Sequence, residues 1–389
     1  MQFPVPNPEQ QAQLQATTRV IAEAIGQAGG RLPFDRFMEL ALYAPGAGYY
    51  VNGSLKFGAG GDFVTAPEIS PLFSRCLAAQ CAQVLQELGG GDILEFGAGS
   101  GVMAADVLLH LQASDRLPQR YLILELSPDL QARQRDTLLQ KAPGLAARVQ
   151  WLQQLPAPGW RGVVLGNEVL DAMPVHRFRC TADGWQELYV LTDGARFREA
   201  WDGVRSPGLQ SALHALVARV GDFAPGYSSE INLRLPGWLQ ALAGFLEQGA
   251  VLLVDYGYSG AEYYHPERSA GTLICHFQHR AHADPLALPG LQDITANVDF
   301  SAVAHAALDA GLELAGYTTQ AHFLIGNGVE RLLAATDTED VGAYMNLVQG
   351  LKQLTLPSEM GERFKVIGLQ RGLGRPLQGF AQRDMRAYL

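Results

Sequence analysis

The sequence predicts an α/β protein built around a mostly parallel sheet whose last strand is antiparallel. Three observations carry that prediction. The apolar run ILEF at 93–96 turns through Gly97, Gly99 and Gly101 into a helix-like segment at 102–111. Further short apolar runs follow at 121–126, 149–152, 161–166 and 250–255, with intervening segments long enough for the crossovers of parallel strands. The run FKVIGLQ at 364–370 is reached through a long connection and is followed by a polar tail, as an antiparallel strand inserted near the sheet edge would be.

Bulk properties narrow the function. A chain of 389 residues holds two domains, or one with large insertions. Hydrophobic residues make up 48% and charged residues 17%, the composition of a soluble globular protein. The net charge of −10 argues against a binder of phosphate backbones, which needs a basic face. It suits a small molecule or a basic protein segment. Cys76, Cys81, Cys180 and Cys275 show no paired metal spacing and read as reduced thiols. No basic stretch precedes an apolar one at the start, and no apolar run approaches the roughly 20 residues of a membrane span. The expectation is a cytoplasmic protein without membrane insertion.

In chain order, Asn7 and Pro8 open a helix that runs over 10–28 and ends at Gly29-Gly30, since Asn caps and Pro suits the first turn. A second helix is expected at 32–42. Residues 45–74 are rich in glycine, proline and aromatics, including Tyr49 and Tyr50. Such a segment is either a loop over a ligand face or an arm packed for stability. An apolar helix at 72–88 leads into the first core strand.

The turn after that strand is a nucleoside site by its chemistry: glycines permit φ > 0 and close approach, and a helix N-terminus follows. Its spacing, Glu95-x-Gly97-x-Gly99-x-Gly101, differs from the G-x-G-x-x-G of dinucleotide sites. It fits S-adenosyl-L-methionine, which lacks a pyrophosphate. Glu125, at the end of the second strand, can accept both ribose hydroxyls. A helix spans 128–141. In the third strand Trp151 offers an adenine ring a flat wall, or plain packing. Past the fourth strand stand Asn167, Glu168 and Asp171. On one helical turn the two acids would share a face, as a general base, a clamp for a cation, or a helix-capping cluster.

A hairpin at 175–180 and 185–191, with helices at 209–220 and 235–246, forms an insertion before the fifth strand. Residues 263–300 read as a long loop carrying His276, His279, His282 and Asp293. These line a substrate pocket rather than hold a metal, because no helical metal pair accompanies them. A helix at 301–310, a strand at 312–324 and helices at 329–335 and 341–355 precede the last strand.

Taken together, these stretches resemble the MidA-like family of class I S-adenosylmethionine-dependent methyltransferases. The matching residues are Gly48-Tyr49-Tyr50, Gly61 to Ser70, Glu95 to Gly101, Asn167 to Pro174, Asp255-Tyr256-Gly257, Gly271-Thr272-Leu273, Asp293 to Ala296 and Phe364-Lys365-Val366. The resemblance implies a Rossmann-like sandwich with a seven-stranded sheet, an N-terminal helical cap and a large inserted subdomain. It implies the partition 1–75, 76–174, 175–248, 249–325, 326–362 and 363–389. Glu95, Gly97, Gly99, Gly101, Glu125, Asp62, Thr65 and Trp151 would hold the cofactor, the loop at 62–70 closing over it. Tyr49, Tyr50, Glu68, Asp255, Tyr256, His279, His282 and Asp293 would meet the substrate, and Asn167, Glu168 and Asp171 would carry the chemistry. The family includes a mitochondrial arginine methyltransferase that assists assembly of respiratory complex I. The implied acceptor is therefore a protein arginine, with a small molecule or another side chain as the alternative. A cofactor-binding assembly factor with little turnover is the third reading. The partner would be a complex I subunit, the oligomer a monomer or homodimer.

Overall fold

A computed structural model describes residues 4–51, 64–193, 196–336 and 340–389. The chain divides into two compact units, each assembled from three stretches. The first takes Met1–Phe63, Asp171–Gly237 and Gly260–Asn297; the second takes Val64–Leu170, Trp238–Ser259 and Val298–Leu389.

The second unit carries the expected sheet. Its strands are β1 Asp92–Phe96, β2 Tyr121–Leu124, β3 Val149–Leu152, β4 Trp160–Asn167, β5 Leu246–Tyr258, β6 Glu313–Thr319 and β7 Phe364–Arg371. They lie in the order β3-β2-β1-β4-β5-β7-β6. Neighbours from β3 to β5 are parallel, while β7 runs antiparallel to both β5 and β6. Among the described residues the two-residue strand Val298–Asp299 joins as an eighth, on β5. The helices Pro71–Leu88 and Val102–Ala113 share one core with Ile93, Ile123, Leu165 and Leu252, where each fully buried aliphatic side chain contributes about 1.5–3 kcal/mol. Proline at the start and Gly89 in the left-handed region at the end (φ 70°) delimit the first of these helices, the asymmetry such positions favour.

Two local expectations change. The apolar stretch at 312–324 is not one strand: β6 stops at Thr319, and Gln320–Gly326 is a helix whose first turn the Thr319 side chain caps through the His322 N–H. Residues 167–174 form no helical turn. The Asp255 carboxylate accepts the Val169 and Leu170 N–H groups at 3.2 and 2.9 Å, and the chain leaves β4 through an irregular turn.

In the first unit, helix Pro8–Gln27 begins with a reciprocal cap between Asn7 and Gln10. It packs with Phe34–Tyr43 through Ile21, Ile25, Phe34, Phe37, Leu42 and Tyr49. The hairpin strands His176–Thr181 and Gly184–Thr192 join Leu32–Pro33, Phe197–Gly203 and Ser228–Ile231 in an antiparallel sheet. The segment expected as a loop at 263–300 contains a three-stranded antiparallel sheet, Ile274–Phe277, Arg280–His282 and Asp293–Thr295.

Candidate active site

In the second unit, β1 delivers the glycine turn. Gly97, Gly99 and Gly101 have φ of 64°, 52° and 85°, values that L side chains adopt only under strain. A Cβ on Gly97 would stand 3.2 Å from Val169 Cγ2, and one on Gly101 would stand 3.0 Å from the Gln134 Cα. The turn is thus a bare-backbone cradle wedged between Val169 and the helix Pro128–Lys141. Glu68, on the short helix Ala66–Ile69, accepts the Ser100 hydroxyl and so reaches the tip of the cradle. Thr65 stands at the N-cap of that helix without a side-chain cap bond. Asp62 lies outside the described residues.

Glu125 follows β2 and accepts the Ser127 N–H at 2.8 Å. Beside it, Leu126 is 70% exposed, an apolar surface that an adenine ring could cover. The Trp151 indole N–H donates to Gln134 Oε1 at 2.8 Å, and the Arg135 guanidinium lies 4.4 Å from its ring centroid. Gln134 is the residue that sequence reasoning missed. It is fully buried, and its Nε2 donates to the Gly99 carbonyl at 3.1 Å and to Glu125 Oε2 at 3.3 Å. The available signal was spacing: Gln131 and Gln134, three apart on one helical face, both bond to Glu125, Gln131 donating its Nε2 to the Glu125 backbone carbonyl at 2.8 Å.

Glu95 stands on β1, the strand that leads into the cradle. It is 1% exposed and accepts the Tyr121 hydroxyl at 2.6 Å. Burial pushes its carboxyl from an ordinary 4.5 up to about 7, against the downward pull of the Tyr121 bond. A carboxyl raised in the folded state binds more protons there than in the unfolded chain, so stability falls as pH rises from about 4.5 to about 7. Glu95→Gln is expected to remove that slope and to stabilise the protein at pH 8 by roughly 1–3 kcal/mol. Urea unfolding at pH 4.5 and pH 8 reads both; a slope equal to wild type would refute the assignment.

Past β4, Glu168 has φ +53°, an uncommon and costly conformation for a non-glycine residue. Its N–H donates to the Val254 carbonyl at 2.9 Å, and its Oε1 accepts from Asn167 Nδ2 at 3.0 Å. Asn167 Oδ1 is buried without a hydrogen-bond partner among the described residues, an acceptor that a ligand donor would satisfy. Asp255, expected at the substrate, is 1% exposed and spends its carboxylate on the N–H groups of Val169, Leu170 and Tyr256. The Tyr256 ring packs edge-on against Phe364.

In the first unit, Tyr43 and Tyr50 stack at 5.5 Å, and Tyr49 meets Tyr50 edge-on at 5.1 Å. Tyr50 donates to Asp293 Oδ1 at 2.9 Å and Tyr43 to the Ala172 carbonyl at 2.9 Å. Burial, then the negative charges of Asp293 and Asp171, push the Tyr43 phenol above its ordinary value; the same acids act on Tyr50. Tyr49, Tyr50, Asp293 and Asp171 therefore come together as expected in kind, and Tyr43 joins them unforeseen. His279 does not: with Gln278 it makes a two-residue turn at positive φ and is exposed. His282 stands on the following strand, where its Nδ1 accepts the Asp284 N–H.

A glycine cradle after β1, an acid after β2 and this strand order define an S-adenosylmethionine-dependent methyltransferase. Comparison with known proteins agrees, and the chain belongs to the family of S-adenosyl-L-methionine-dependent methyltransferases, which matches residues 76–318. A Burkholderia thailandensis protein solved with S-adenosylhomocysteine bound is 44% identical over the whole of both chains, with a TM-score of 0.95. The relative named protein arginine methyltransferase NDUFAF7, mitochondrial, from Danio rerio is 28% identical over 92% of this chain and 91% of its own. The Drosophila melanogaster homolog is 29% identical over 88% and 82%. These names correct the cytoplasmic expectation, since both relatives are mitochondrial proteins. No helix among the described residues is long and apolar enough to cross a membrane.

The residues fit the cofactor. Gly97, Gly99 and Gly101 present bare backbone at positive φ, and Asn167 Oδ1 is a buried acceptor without a partner among the described residues. When bound, S-adenosylmethionine supplies an electrophilic methyl on a sulfonium centre. The chain would supply binding and orientation: Gly97 to Gly101 would offer backbone, and Glu125 would offer carboxylate oxygens to the ribose diol.

Proposed function

We propose that the enzyme methylates a protein arginine side chain. The observation that carries this is the cluster of Tyr43, Tyr49 and Tyr50 with Asp171 and Asp293 in the first unit. Electron-rich rings and carboxylates are the complement of a planar cation, which they hold by cation–π attraction and charge-assisted hydrogen bonds. A neutral hydroxyl acceptor would gain nothing from two buried acids. The relatives' names point the same way, being protein arginine methyltransferases. In this reading Asp171 holds the guanidinium. Glu168, three residues before Asp171 in the chain, takes the proton that the guanidinium releases as the nitrogen–methyl bond forms and the sulfur–methyl bond breaks. The acceptor is a respiratory complex I subunit, consistent with mitochondrial relatives, and the working unit is a monomer or homodimer.

The test is tritium transfer from S-adenosylmethionine to isolated complex I subunits, followed by mass spectrometry of the labelled residue. Label on arginine is expected with wild type, and a loss of at least tenfold with Tyr50→Leu. Label confined to another residue type would overturn the reading.

A further inference from the structure

We propose that Gln134 is the positioning residue of the cofactor pocket. It sets the Glu125 carboxylate and the Gly99 peptide in one frame, so that recognition of the cofactor's ribose depends on a side chain that never touches it. The inference rests on the reading of Glu125 as the ribose acceptor.

The geometry is a closed relay. Gln134 is fully buried in a helix that is otherwise largely polar and water-facing. A buried amide must satisfy both of its ends, and this one does. Its oxygen accepts the Trp151 indole at 2.8 Å, which fixes the orientation of the amide. Its nitrogen then has to face the other way, where it donates to the Gly99 carbonyl at 3.1 Å and to Glu125 Oε2 at 3.3 Å. Trp151 pairs with Ile123 of β2 through the backbone, and the Arg135 guanidinium lies over its ring. The backbone at Gln134 is as constrained as the side chain, because Gly101 passes so close that a Cβ there would stand 3.0 Å from the Gln134 Cα.

Two parts of the pocket that are far apart in sequence are therefore tied to one amide. A carboxylate that accepts a diol must present its oxygens in a set direction, and a free glutamate beyond a strand end would rotate. The Ser127 N–H fixes Oε1 at 2.8 Å and Gln134 fixes Oε2, so the carboxylate plane is set before any ligand arrives. Preorganisation of this kind lowers the ordering cost of binding, and a hydrogen bond to a charged group is among the stronger ones.

Titration calorimetry with two probes tests it: S-adenosylhomocysteine and its 2′,3′-dideoxyribose analogue. Wild type is expected to prefer the diol by about tenfold or more. Gln134→Met fills the same volume without polar ends, and is expected to bring the preference within about threefold. A merely structural role would weaken both probes equally and keep the ratio. Trp151→Phe, which keeps an aromatic ring and removes the donor that orients the amide, is expected to fall between the two, and stands in should Gln134→Met not fold. Glu125→Ala is expected to abolish the preference. A wild-type ratio in Gln134→Met, or in Trp151→Phe where that variant stands in, overturns the positioning role while leaving Glu125 as the acceptor. A wild-type ratio in Glu125→Ala overturns the ribose reading and the inference with it.

Discussion

Gly99→Val is expected to abolish S-adenosylhomocysteine binding, with affinity falling at least a hundredfold. Gly99 has φ +52°, where an L residue costs about 1–2 kcal/mol and a β-branched one more. Strain alone would be tolerable if the loop could relax, but its neighbours prevent that. The Gly99 carbonyl accepts Gln134 Nε2 at 3.1 Å, and the Ser100 hydroxyl is bonded to Glu68. A valine must either stay left-handed, with a branched side chain over the cradle, or swing the loop and break both contacts. Either outcome removes the backbone surface that a ligand needs. Calorimetry reads the affinity, and thermal unfolding shows whether the rest of the chain is intact. Binding within threefold of wild type, in a folded variant, would show that the cradle does not hold the cofactor.

What could be read from the sequence follows from how strongly each feature is signalled. The cradle was legible because an apolar strand, three alternate glycines and a helix follow one another without interruption. The antiparallel β7 was legible from its position after a long connection, although the two-residue strand at Val298–Asp299 is too short for any pattern. The direction of Glu95 was not legible. A central parallel strand is apolar on both faces, and hydrophobicity cannot say which face an acid takes. The structure puts Glu95 against Tyr121 of the neighbouring strand. Gln134 was hidden for the opposite reason, since a glutamine in a polar helix looks like surface. The strands at 274–295 are three or four residues long, below the length at which alternation is recognisable. At Gln320 to Leu324, an apolar run suits a strand or a helix equally, and the Thr319 cap decided it. Tyr43 ends an apolar helix and gave no sign that its ring stacks on Tyr50.

Glu168→Gly is expected to stabilise the protein and to destroy its activity, an opposition that separates function from capping. A glutamate at φ +53° costs about 1–3 kcal/mol, and glycine recovers part of that cost. The backbone N–H bonds of the turn do not use the Glu168 side chain, whose loss gives up the bond from Asn167 Nδ2. The Glu168 N–H reaches Val254, and the Asp255 carboxylate holds Val169 and Leu170. Val169 also backs Gly97, so the cradle should be unaffected and S-adenosylhomocysteine affinity should stay within threefold. On the proposed role of Glu168, however, the proton of the methylated guanidinium loses its acceptor. Methyl transfer to isolated complex I subunits is expected to fall at least a hundredfold, within the range a positioned general base contributes, and Glu168→Gln should match that loss without the gain in stability. Asp171→Asn weakens acceptor binding instead, and should raise KM more than it lowers kcat. If Glu168 serves only to finish the strand, glycine will raise the unfolding temperature and leave turnover intact. In that case the strain at this position has no catalytic purpose, and the proton must leave by another group.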